Sequence, residues 1–126
     1  MASDVSVLIV DDQAPFRRAA NAVVAATTGF DVVGEAESAE AGVALAASLA
    51  PALVLMDIKM TGVDGIEATR RMLAARPKTV VILLSTYEAG DLPDDASACG
   101  AAAYVHKEEF GPEILEDVWR RSGAGK

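Results

Sequence analysis

Short, nearly continuous apolar runs alternate along this chain with longer stretches whose apolar residues recur every three or four positions. The runs VSVLIV (5–10), DVVGEA (31–36), ALVLMD (52–57), TVVILLS (79–85) and AAYVH (102–106) predict five strands. Most are too continuous to have one wet face, so the central three are expected to be covered on both sides. Between the first two, Phe16, Ala19, Ala20, Val23, Val24 and Thr27 form a helical stripe that excludes Arg17 and Arg18, and Gly29 is the expected stop. Ser38 is a natural cap for a second helix that buries Leu45, Ala46 and Leu49 and halts before Pro51. Asp64, with Glu67 three residues on, has the spacing of a capping box for a third helix carrying Ile66, Met72 and Leu73 and ending before Pro77. Asp91 and Pro93 open a short fourth helix that ends near Gly100, and a fifth after FGP presents Ile114, Leu115, Val118 and Trp119. Strand and helix taking turns is the signature of an α/β protein with a parallel sheet.

Length and composition narrow this picture. A chain of 126 residues with 52% hydrophobic content fits one core, with residues 1–122 as the domain and 123–126 as a loose tail or the start of a linker. No apolar run approaches the ~20 residues that a bilayer span needs, and the first residues lack a basic segment followed by an apolar one, so a cytoplasmic protein is expected, with no membrane partner. The single cysteine, Cys99, has no partner for a disulfide or a metal cluster. A net charge of −8 disfavours direct binding to a phosphate backbone, which depends on lysine and arginine. His106 is the only histidine and reads as a strand-end residue.

In an open parallel sheet, ligands bind beyond the carboxyl ends of the strands, so the residues that terminate strands carry the information. Strand one ends in Asp11 and Asp12, strand three in Asp57, strand four in Ser85 and Thr86, and strand five in Lys107. An aspartate at a strand end is common as a turn or cap residue. Four strands ending in complementary chemistry point further. Crowded carboxylates stay ionised most readily beside a hard divalent cation, and Mg2+ prefers one or two carboxylates together with a phosphate oxygen. Lys107 and Ser85 suit a phosphoryl group, and a carboxylate such as Asp57 is a competent phosphoryl acceptor.

These residues resemble a response-regulator receiver domain over nearly the whole chain. LIVDDQ supplies the acidic pair, LVLMDIKMTGVDG the acceptor, VILLST the hydroxyl, and GAAAYVHK an aromatic and the lysine. LLSTYEAGD and GAAAYVHKE are most similar to the NarL/FixJ subfamily, whose members usually carry a C-terminal helix-turn-helix domain. The resemblance implies a flavodoxin-like (CheY-like) doubly wound sheet of five parallel strands in the order 2-1-3-4-5, with five helices. It implies that Asp57 takes a phosphoryl group from a histidine kinase. Asp12, Asp57 and the backbone carbonyl of Lys59 would bind Mg2+, with Asp11 holding a metal-bound water. Ser85 and Lys107 would contact the phosphoryl oxygens. Tyr104 would turn inward with Ser85, changing a surface of fourth helix, fifth strand and fifth helix. A phosphorylation-dependent homodimer, and DNA contact only through a further C-terminal domain, are also implied. Many relatives follow the lysine with proline through a cis bond, and Glu108 stands there, so the loop must be ordered another way.

Rival classes fit less well. A haloacid-dehalogenase-type phosphatase expects a second aspartate two residues after the nucleophile, where this chain has Lys59. A nucleotide or flavin binder would need a phosphate-cradling glycine loop, and neither G-x-G-x-x-G nor G-x-x-x-x-G-K-[ST] occurs. A protein-interaction module that works without phosphorylation remains the second reading.

Overall fold

A computed structural model describes residues 5–60, 62–86 and 99–122. Its order is β1 (Val5–Val10), α1 (Ala14–Ala25), β2 (Phe30–Ala36), α2 (Ala39–Leu49), β3 (Leu53–Asp57), α3 (Gly65–Ala75), β4 (Val80–Ser85), β5 (Ala103–His106) and α4 (Pro112–Ser122). The five strands are parallel and lie in the order β2-β1-β3-β4-β5. Four α-helices are found among the described residues. The predicted fourth helix, from Asp91 to Gly100, falls largely outside them, as do Thr61 and the 123–126 tail. The expected fifth helix is α4.

Alternation within each strand explains the continuous apolar runs. Leu8, Val10, Val54, Met56, Val81 and Leu83 point to one face, where α2 and α3 add Ala39, Ala46, Ile66 and Met72. Val7, Ile9, Leu53, Leu55, Ile82 and Leu84 point to the other, met by Ala20 and Val24 of α1 and Leu115 of α4. Both faces are therefore dry, and each large apolar side chain so buried contributes about 1.5–3 kcal/mol. The edge strand β2 instead alternates between half-buried and exposed positions. Its register against β1 slips between Val7 and Leu8, which leaves Val33 as an extra, exposed residue.

Local signals account for most element ends. Ser38 Oγ accepts from Ala41 N–H at 3.1 Å, and Asp64 Oδ1 accepts from Glu67 N–H at 2.9 Å. The Glu67 carboxylate is drawn to Arg71 (3.1 Å) and Arg70 (3.5 Å), four and three residues further along the helix. α1 stops at Ala25, earlier than expected, and Gly29 serves the next turn: its φ is +91°, and its carbonyl accepts from Val5 N–H. Ala19 is exposed, since the buried stripe of α1 is narrower than the apolar pattern suggests. Leu49 was expected in the core and is exposed, because α2 approaches the sheet through Gly42 and Ala46. A Cβ on Gly42 would lie 2.8 Å from the Val10 side chain, so this face of α2 has no room for larger residues. No helix among the described residues is long and apolar enough to cross a membrane.

Candidate functional site

The carboxyl ends of β1, β3 and β4 and the residue after β5 meet at one rim. Asp11 and Asp57 are buried there and Asp12 is exposed. Oxygens of the three carboxylates lie within 4.8 Å of one another. Lys107 reaches in from the start of a 3-10 turn (Lys107–Glu109) that continues from β5, placing Nζ 2.7 Å from Asp11 Oδ2 and 3.4 Å from Asp57 Oδ1. Ser85, the last residue of β4, is buried opposite His106 in the β4–β5 pairing. The expected gathering of acids and amine is therefore present, and Ser85 ends the strand next to β3.

Asp11 is held on every side. Its N–H donates to the Ala36 carbonyl at 3.0 Å, and its Oδ1 accepts from Gln13 N–H at 2.8 Å. Its carbonyl accepts from Arg17 Nη1 at 2.7 Å, and the same guanidinium pairs with Glu35 at 3.5 Å. Asp11 Oδ2 is buried and receives no aligned hydrogen bond, so Lys107 engages it as a point charge. A buried carboxylate oxygen held by charge alone, beside two further carboxylates, is a donor set of hard oxygens suited to a divalent cation. The triad is able to bind a metal.

Asp57 has its pKa raised to about 6. Burial is the main cause, the Asp11 charge adds to it, and Lys107 opposes both. At neutral pH the group is mostly ionised, yet more basic than an ordinary carboxylate. That is a useful state for an oxygen nucleophile.

Three contributors escaped the sequence reading. Gly65 opens α3 against the end of β3, where a Cβ would lie 2.0 Å from the Asp57 carbonyl oxygen; its signal was the glycine directly after the Asp64 cap. Phe16, assigned only to the core stripe, has its ring centroid 4.5 Å from Lys107 Nζ. Arg17, set aside as off the stripe, anchors Asp11. The absence of proline after Lys107 also finds its answer: the 3-10 turn is capped by His106 Nδ1, which accepts from Glu108 N–H at 3.2 Å. Lys59 is exposed just past β3, and Ile58 before it is tied down, donating to Leu84 O and accepting from Gly65 N–H. Tyr104 lies on edge strand β5 with its side chain exposed.

Comparison with known proteins agrees with this geometry. Residues 7–118 match the family pattern of the response regulator receiver domain. The chain is 39% identical over 114 residues to the response regulator GacA of Pseudomonas syringae, covering 90% of this chain and 53% of GacA. It thus spans about half the length of the curated relatives it matches. Among solved structures, the signal receiver domain of NarL from Mycobacterium tuberculosis superposes with a TM-score of 0.86 at 26% identity, over 97% of this chain and 98% of that one. The response regulator domain of Thermotoga maritima CheB gives 0.83 at 28% identity, over 94% and 96%. The chain belongs to the response regulator receiver domains of two-component signalling, with homologues in the NarL/FixJ subfamily, and is a signalling domain and not an enzyme acting on an external substrate.

Proposed function

We propose that Asp57 is the phosphoryl acceptor of this receiver and that its modification switches a surface made of the helix expected from Asp91 to Gly100, β5 and α4. The observation that carries this reading is the position of the Lys107 ammonium between Asp11 and Asp57 at the rim of the sheet. In the transfer, an Asp57 carboxylate oxygen bonds to phosphorus as the bond from phosphorus to the donor breaks. For a histidine kinase, the broken bond is P–N and the electron pair returns to the imidazole. The receiver's part is positioning and charge stabilisation. Lys107 neutralises phosphoryl oxygens as a point charge, and the Ser85 hydroxyl donates to one of them. Asp12, Asp57 and the Lys59 carbonyl would hold Mg2+, with Asp11 ordering a water on it. The ion would supply further neutralisation of the phosphoryl oxygens.

The switch follows from the same contacts. Phosphorylation acts as a covalent ligand that favours whichever conformer brings Ser85 and Lys107 nearer to Asp57. Moving a mostly inactive population to a mostly active one requires about 5 kcal/mol of differential interaction, a magnitude within reach of several charge-assisted contacts. Tyr104, exposed on β5, is the aromatic that would turn inward as Ser85 is drawn toward the phosphoryl group. The partners of this reading are a cognate histidine kinase and, after phosphorylation, a second copy of the chain. DNA would be reached through a further domain, as the transcriptional regulators among its homologues suggest.

The test is intact mass after incubation with acetyl phosphate, with and without magnesium, on the wild type and Asp57→Asn. A magnesium-dependent gain of one phosphoryl group that is absent from the variant is expected. No gain, together with no beryllofluoride binding, would sink the phosphoryl reading and leave the interaction module.

A further inference from the structure

Lys107 is nearly buried, and its ammonium touches groups from three different elements. Asp11 lies at the end of β1, Asp57 at the end of β3, and Phe16 in the first turn of α1. The carboxylates are unequal partners: Asp11 is closer by 0.7 Å, from 3.4 Å less 2.7 Å. Asp11 is also rigid, fixed through its N–H, Oδ1 and carbonyl. A lysine held only by these acids would be drawn mainly to the nearer charge, that of Asp11. The Phe16 ring changes this. Its π face attracts a cation without fixing one angle of approach, so an ammonium can shift across it and stay in contact.

We propose that Phe16 is a positioning residue for Lys107, its ring face holding the ammonium at the mouth of the acid cluster so that it can pass from Asp11 to the modified Asp57. The proposal rests on the receiver reading above and extends it to a residue whose side chain carries no charge and no hydrogen-bonding group. Hydrophobicity alone does not meet the need. Phe16 is half-buried and also packs on the core beside α1, but leucine would fill that space without offering the cation a negative face.

The experiment replaces Phe16 by leucine, by tyrosine, and by phenylalanines bearing one, two or three ring fluorines, which drain the π face while keeping its shape. In the unphosphorylated protein, the Lys107 ε-methylene proton resonances should be shifted upfield by the ring, and Phe16→Leu should abolish that shift. With acetyl phosphate and magnesium, the initial rate of Asp57 phosphorylation should fall about fivefold in Phe16→Leu, decline stepwise with fluorine number and return in Phe16→Tyr. Urea midpoints of the fluorinated proteins should match the wild type, which separates positioning from packing. A flat fluorine series in a protein whose wild type gains the phosphoryl group overturns the role of Phe16 alone. A wild type that neither gains the group nor binds beryllofluoride overturns the receiver chemistry and this role with it.

Discussion

The Lys107 ammonium lies 2.7 Å from Asp11 Oδ2, closer than the 3.4 Å to Asp57 Oδ1, so the lysine is mainly the counterion of Asp11. Removing it leaves two buried carboxylates facing each other. We expect Lys107→Met to cost about 3 kcal/mol at pH 7.5, the lower end for deleting one partner of a buried pair. The cost should shrink at pH 5, where Asp57 takes up a proton. Urea denaturation at both pH values in metal-free buffer checks this, and an equal cost at both would refute it.

Asp57 has a folded-state pKa of about 6 against 3.8 for the unconstrained group. The folded protein therefore binds the proton more tightly. This contribution to stability is fully present below about pH 4 and is lost as pH rises through about 6. The difference corresponds to as much as about 3 kcal/mol. Asp57→Asn should accordingly be more stable than the wild type at pH 7.5 without metal, and the gap should close near pH 4. Millimolar magnesium should narrow the gap at pH 7.5 as well. Thermal melts across this pH range, with EDTA or with magnesium, are the measurement.

Gly65 admits no side chain, because the atom a Cβ would strike is the backbone oxygen of Asp57 and not the yielding end of a side chain. Gly65→Ala should destabilise by about 1–3 kcal/mol. It should also weaken divalent cation binding by calorimetry, since α3 must retreat from the end of β3. Unchanged metal affinity in a destabilised variant would limit Gly65 to packing.

Phe30 and Trp119 meet edge to face with ring centroids 6.2 Å apart, joining the start of β2 to α4. A double-mutant cycle with leucine at both positions should give a coupling of about 0.5–1.5 kcal/mol. A coupling near zero would mean the pair contributes area and no specific geometry.

The sheet was legible because strands buried on both faces leave continuous apolar runs, as VVILLS in β4 does, and such runs end abruptly where chemistry begins. The acids, Ser85 and Lys107 were legible for the same reason. What escaped depends on distances that a linear pattern does not carry. Leu49 looks like core by hydropathy, yet Gly42 and Ala46 bring α2 so close to β1 that the contact is made by small residues. Arg17 and Phe16 were sorted by helical face alone, although the first turn of α1 stands above the acids and both reach the site from it. Glu67 has capping-box spacing, but two arginines on the same helix compete for its carboxylate.

Trp119, the chain's sole tryptophan, packs on Phe30 at the amino end of β2, whereas the acids sit past the carboxyl ends of the strands. Chemistry and chromophore thus occupy opposite poles of the sheet. Emission from this indole should register the loss of α4 from the sheet directly, whereas events at the acids can reach it only through the proposed change at α4, so one chromophore reads both unfolding and the arrival of the signal at the far pole.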